Sequence, residues 1–327
     1  MMRLSRFFCI LPAAGLLLAS CGSPLPQATS TSLPSSPSQD LPSPTRTLLP
    51  VPTPGRTPTD TPVPCDPGSV DFCVEKGEFI LQRPIVPPGN DAIDRNYPYG
   101  STEGGSREVH HGVEFENASG TPVLAAAEGT VYFAGNDATR KFSPWADFYG
   151  NIVVIEHSIS YPPFNKLYTL YAHLSSIEVS AGQAVRAGEA IGKVGMTGTA
   201  AGSHLHFELR VTPDDYNSTL DPELWLIPRS GNGSLAILAA DPNGASVYPS
   251  FRIQYFPDRN NPATASYMAD GYARGTINPL DPWKEVAAIG DQPAGWYRIT
   301  FLWDYVPYER WVEIEPSMLT RVSFMVK

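Results

Sequence analysis

Ser203-His204-Leu205-His206-Phe207-Glu208-Leu209-Arg210 reads, with a period of two, as a half-buried β-strand. Leu205, Phe207 and Leu209 point to one side; His204, His206 and Glu208 point to the other. At about 3.3 Å rise per residue the two histidines stand about 7 Å apart at Cα, so both imidazoles can reach one small site. Strand geometry leaves open whether both bind a metal or only one does. All six histidines of the chain, His110, His111, His157, His173, His204 and His206, lie between positions 110 and 206. An even scatter would not produce this.

The surrounding sequence, 108–228, is a series of short β patterns at Pro122 to Ala126, Gly129 to Ala134, Asn151 to His157, Lys166 to His173, Ile177 to Val185, Ala190 to Val194 and His204 to Val211. Glycines punctuate them every few residues and no useful 3.6 period intervenes, which predicts an antiparallel all-β domain. Near its start stands His110-His111-Gly112-Val113-Glu114. In a straight strand His110 and Glu114 would lie about 13 Å apart, too far for one ion. Gly112 permits a bend that brings them together. With His206 they make two imidazoles and one carboxylate, the ligand count of a catalytic zinc with one position open. His173 and His204 are then left over, and hydrolysis needs such groups to move the water proton and steady the oxyanion.

Several motifs occur in a telling order: His110-x-Gly112-x-Glu114, Gly120-Thr121-Pro122-Val123, the run Gly150 to His157, Leu170-Tyr171-Ala172-His173-Leu174, Gly192 to Gly198, and Gly202 to Glu208. Together, from Asn96 to Leu226, they resemble the lysostaphin-like (LytM-type) zinc endopeptidases, which cleave peptide cross-links of peptidoglycan. The resemblance implies one zinc ion, His110 and His206 as its ligands with Glu114 as the third, and His173 and His204 as the catalytic pair. Glu114 departs from the family, which usually has Asp there. Its extra methylene moves the carboxylate by about 1.5 Å, so a catalytically weak relative that binds wall peptides or activates another hydrolase is the alternative. His111 is expected at the surface or supporting the site from behind, and His157 at a surface strand end with no role. Glu208 is expected to make a structural hydrogen bond.

The N-terminus (1–20) reads as a signal peptide: Arg3 and Arg6 precede an apolar run, Phe7 to Leu18, too short for a permanent membrane span. Leu18-Ala19-Ser20-Cys21 resembles a bacterial lipobox, which implies lipidation of Cys21 and anchoring on the outer face of the cytoplasmic membrane. Cys9 would leave with the signal, so Cys65 and Cys73 remain as an even pair in an oxidising compartment and are expected to form a disulfide. Much of the chain's content of 34 prolines falls in 21–64, a Pro/Ser/Thr-rich stretch. It cannot bury enough apolar surface to offset its ordering entropy, so a disordered stalk is expected, reaching on the order of 100 Å. Residues 65–107 read as an extended approach segment packed on the next domain. The net charge of −10, with no Lys/Arg-rich run, speaks against a nucleic-acid partner.

Beyond a Pro/Gly-rich link at 228–233, residues 233–327 read as a β-sandwich accessory domain. Its strands are expected at Leu235 to Ala239, Ser246 to Phe256, Trp296 to Trp303, Tyr308 to Ile314 and Thr320 to Val326. Pro293 to Ile299 weakly resembles carboxypeptidase-regulatory or transthyretin-like domains. Its aromatic residues, Trp283, Trp296, Trp303 and Trp311 among them, are expected in the sandwich core and rims rather than in a glycan site, and a cell-wall or protein partner is left open. The expected protein is therefore all-β: a disordered Pro-rich stalk, an antiparallel β-sheet zinc peptidase domain and a β-sandwich, cutting wall peptides at the bacterial cell envelope.

Overall fold

The computed structural model describes residues 65–159, 161–162, 164–273 and 284–327. The signal, Cys21, the stalk and Trp283 lie outside the described residues. Cys65 and Cys73 form a disulfide just ahead of β1 (Cys73–Glu75). The approach segment then lays down no further strand before β2 (Val113–Glu116). The first half of the described chain continues with β3 (Pro122–Leu124), β4 (Gly129–Asn136), β5 (Asn151–His157), β6 (Leu167–Ala172), β7 (Ser176–Ile177), β8 (Ala184–Val185), β9 (Ala190–Lys193), β10 (His204–Arg210) and β11 (Thr219–Leu220). A 3-10 turn at Pro222–Leu224, capped by the Asp221 side chain, follows. The long stretch expected at 177–185 is two short strands, because Gly182 turns the chain between them in the left-handed region.

The main sheet runs β11-β10-β6-β5-β4-β8, with β2 also on β10, and β3-β9-β7 form a small second sheet. β10 pairs with β6 on one side and with β2 and β11 on the other, all antiparallel. That central position buries all seven of its residues, so the half-buried expectation needs correcting. Leu205, Phe207 and Leu209 pack into the large core with Tyr171, Val153 and Ile155, each burial contributing about 2 kcal/mol. The polar face is enclosed as well, because Phe142 and Tyr149 from the β4–β5 connection join a second cluster with Leu170 and Ala172.

The rest of the chain forms β12 (Asn232–Ala240), β13 (Ser250–Phe256), β14 (Ala265–Asp270), β15 (Ala287–Pro293), β16 (Gly295–Trp303), β17 (Val306–Ile314) and β18 (Leu319–Met325). Two four-stranded sheets, β1-β18-β12-β15 and β14-β13-β16-β17, face each other across a core containing Phe251, Ile253, Tyr297, Ile299, Val312 and Phe324. The pairing of β12 with β18 is parallel. The approach segment is shared by both halves: β1 pairs with β18, whereas Leu81 bridges Leu226. The two halves also share one core, since Ala236 and Leu319 cluster with Leu224 and Trp225. A polar seam backs it, with Arg83 and Arg229 both paired to Asp291.

Candidate metal centre

Glu114 on β2 and His206 on β10 are directly opposed in the strand register, so their side chains share one face. The backbone of β2 approaches β10 so closely that a Cβ at Gly112 would stand 2.4 Å from the Phe207 carbonyl oxygen. Gly112 is therefore required for close approach; its φ is not in the left-handed region. His110 precedes the strand and is held by backbone bonds: its N–H donates to Ser101 O at 2.9 Å and its carbonyl accepts from Gly100 N at 2.7 Å.

His110 Nε2 lies 3.1 Å from His206 Nδ1 and 3.5 Å from Glu114 Oε1. Ligand atoms of His110, Glu114 and His206 all fall within 4.8 Å of one another. With bonds of 2.0–2.1 Å, the edge of a tetrahedron around zinc is about 3.3 Å, so the two measured edges fit such an ion. The tautomers fit too. Glu208 Oε1 accepts from His206 Nε2 at 2.9 Å, which leaves the Nδ1 lone pair aimed at His110. Burial alone would disfavour the Glu208 carboxylate. The Arg210 guanidinium, 2.5 Å away at Oε2, and His206 outweigh that and hold its pKa below the usual range. Tyr149 also donates to Glu208, and Arg210 donates onward to the Tyr149 hydroxyl at 3.1 Å and to Phe142 O and Pro213 O, both at 3.0 Å. Glu208 thus orients His206, and the expected structural hydrogen bond is one end of a wholly buried network.

His173 and His204 stand beside this cluster, their ring centroids 4.8 Å apart. Each has its Nδ1 at a backbone carbonyl, Thr197 O at 2.8 Å for His173 and Gly202 O at 2.9 Å for His204. A neutral ring donating there keeps its Nε2 lone pair free. His204 Nε2 is buried without a hydrogen-bond partner and 3.5 Å from Glu114 Oε1. Burial, reinforced by neighbouring histidines, holds His173 down to about 3 and His110 well below its ordinary value. Burial also lowers His204, with Glu114 opposing. Neutral imidazoles are the form that ligates metal or accepts a proton. His173 has φ +61°, a left-handed conformation that turns it out of the end of β6; histidine enters that region more readily than most residues. The loop behind it depends on Gly150 and Gly198, both left-handed and so close that a Cβ on either would meet the other's backbone N at 2.4–2.5 Å. That contact seats Thr197, whose carbonyl orients His173.

Two other histidines do different work. His157 is no surface residue: it is buried, with Nδ1 at Glu128 O and Nε2 at Thr169 Oγ1, both 2.7 Å. Its place at the end of β5 misled because β6 and the chain before β4 close over it. His111 is buried too, its Nδ1 3.1 Å from Thr219 Oγ1 and its ring 4.0 Å from that of Tyr216. The sequence reading missed Tyr149, Arg210, Thr197 and Tyr97. Arg210 was legible, since the alternation that faces Glu208 inward also faces Arg210 inward. Tyr97 carried no pattern, yet its ring stacks on His110 at 4.2 Å and 9°.

The five residues floor a cleft of about 900 Å³, with Tyr97 and Arg107 on one wall and Trp145 and Phe148 on another. The cleft is open above the two-histidine, one-carboxylate cluster, with two further imidazoles beside it. Residues 108–222 match the model of peptidase family M23, and this part of the chain is a domain of that family. The DD-carboxypeptidase/endopeptidase Mpg of Neisseria meningitidis is 41% identical over 109 residues, 33% of this chain and 22% of that protein. The uncharacterized lipoprotein YgeR of Escherichia coli is 35% identical over 133 residues, 40% of this chain and 43% of that one. The murein hydrolase activator NlpD of Escherichia coli is 35% identical over 112 residues, 34% of this chain and 24% of that one. The chain thus spans under half the length of each.

Proposed function

We propose that the protein is a zinc-dependent endopeptidase that hydrolyses peptide cross-links of peptidoglycan. The observation that carries this is the convergence of His110, Glu114 and His206 on one point, with the Nε2 atoms of two neutral imidazoles alongside. Zinc held by those three residues would supply positive charge that polarises a carbonyl and acidifies water. Neutral His204, its Nε2 otherwise unpartnered, accepts the proton of the attacking water. His173, its Nδ1–H held by the Thr197 carbonyl, presents its Nε2 lone pair as a second acceptor that orients that water. Tyr97 limits rotation of His110, and the cleft walls align an extended peptide and exclude water from its flanks. The relative named a hydrolase activator supports the alternative of a domain that binds without cutting. The full set of inward-facing histidines favours hydrolysis.

We further propose that lipidation at Cys21 anchors the chain at the outer face of the cytoplasmic membrane, with 21–64 as a stalk. The lipobox-like residues and the lipoprotein relative support this. Two experiments test the whole reading. Metal analysis of purified protein should find one zinc per chain, lost in Glu114→Ala, and digestion of defined cross-linked wall fragments should release products identified by mass. Metal-free wild-type protein under zinc-replete conditions would refute the catalytic reading.

A further inference from the structure

The wall of the cleft nearest His110 is built from the chain between Asp94 and Val109, and it is held from both halves of the molecule. On the peptidase side, Asp94 N–H donates to Glu114 O at 2.8 Å, and Gly100 and Ser101 exchange backbone bonds with His110. On the sandwich side, the Arg95 guanidinium donates to Gly290 O in β15 at 2.7 Å; it also donates at 2.5 Å to Glu223 Oε2, in the 3-10 turn that ends the first half. Glu223 Oε2 also accepts from Gly290 N–H at 2.6 Å. At the other end of the loop, Ala273 N–H, just past β14, donates to Gly100 O at 2.7 Å. The neighbouring Tyr272 packs edge-on against Tyr99 at 5.3 Å and lies so close to Gly100 that a Cβ there would meet its ring at 2.6 Å. Tyr97 sits between these two sandwich-held points. Its ring lies flat on His110, and its hydroxyl donates to Glu108 O.

We propose that the C-terminal sandwich is a positioning element of the metal centre, acting through Arg95, Ala273 and the stacked Tyr97 on the ring of His110. This rests on His110 being a metal ligand. His110 belongs to no strand, so no ladder fixes its ring, whereas His206 has Glu208 and a central strand behind it. The stacked tyrosine fills that gap. Tyr97 is itself fixed by a stretch tied to both halves, at Arg95 and at Gly100 on the sandwich side; without the sandwich ties that stretch would sample open states more often. The sandwich thus contributes to the site without a residue in the metal cluster.

A double-mutant cycle on zinc affinity, read by competition with a chromophoric chelator in the full-length protein, tests this. Ala273→Pro removes the N–H that holds Gly100 O, and Arg95→Met is the second variant should the first fail to fold. Either should weaken zinc binding roughly tenfold, the low end for contacts that orient a ligand. In a Tyr97→Ala background the same change should alter affinity by less than about twofold, the scatter of independent sites. Val312→Ala, in the sandwich core, should lower the melting temperature and leave zinc affinity intact. Equal losses with and without Tyr97, or an equal loss in Val312→Ala, would overturn the proposal. Amide exchange at Gly100 and His110 gives a metal-free check: protection should fall in Ala273→Pro and stay unchanged in Val312→Ala, and unchanged protection in Ala273→Pro would also overturn it. Neither readout uses wall substrate, so absence of hydrolysis by zinc-loaded wild type would refute the enzymatic reading alone.

Discussion

Glu114→Asp restores the residue usual in the resembled family, yet here it should weaken zinc binding. Glu114 Oε1 stands 3.5 Å from His110 Nε2, already at the edge of the tetrahedron that bonds of 2.0–2.2 Å require. Removing one methylene withdraws the oxygen by about 1.5 Å. Were nothing to move, a bond near 2.1 Å would open to about 3.6 Å and cease to be one. Recovery would need β2 to advance toward the site. β2 is held by its register with β10, Glu114 opposite His206, and by the contact of Gly112 with the Phe207 carbonyl. Side-chain rotation alone recovers only part of the shortfall. We therefore expect a 10–100-fold rise in Kd, about 1.4–2.8 kcal/mol, measured by chelator competition at neutral pH and accompanied by an unchanged melting temperature of the metal-free protein. A Glu114→Asp protein that binds zinc as tightly as wild type, or more tightly, would refute the claim that β2 is rigidly placed.

Replacing either non-ligand imidazole, His173→Ala or His204→Ala, should lower kcat on wall fragments by about 10²–10⁴-fold while zinc stoichiometry stays at the wild-type value by metal analysis. Arg210→Met strips the buried Glu208 carboxylate of its charge partner and should cost about 3–5 kcal/mol in urea unfolding; a smaller loss than in a surface Arg298→Met control would contradict the network. The metal-free protein should lose stability on acidification. Burial holds His111 down to about 4 against about 6.5 unfolded, so the unfolded chain binds more protons below pH 6.5. That contribution is present above 6.5 and lost as pH falls toward 4, about 3 kcal/mol in all. Urea melts with chelator at pH 7.5, 5.5 and 4.5 should show it, and His111→Gln should flatten the slope.

Much of the peptidase half was legible because its strands alternate strongly and end in glycines: β5 lies where Asn151 to His157 places it, and β10 begins at His204. β14 and β15 were not legible. β14 is largely exposed, and β15 contains Gly290 and ends at Pro293, so neither shows the alternation that one buried face imposes. Their strand character comes from the ladders to β13 and β12. The same distinction bears on the two histidines outside the five-residue site. His157 and His111 have ordinary local sequence, and only the elements folded over them make them buried.

The pattern His204-x-His206-x-Glu208, with His110, Glu114 and His173, determined by itself that a small polar site exists and which residue types supply it. Residue types and a period of two are local properties, and side chains alternate by geometry alone. Tertiary structure decided the rest, because each decision depends on a contact across many residues. Glu208 selects the tautomer of His206 only because the buried Arg210 guanidinium helps hold it ionised. The register of β2 on β10 sets the reach of Glu114. Tyr97 lies on His110 because a sandwich more than 150 residues further along holds the loop that carries it.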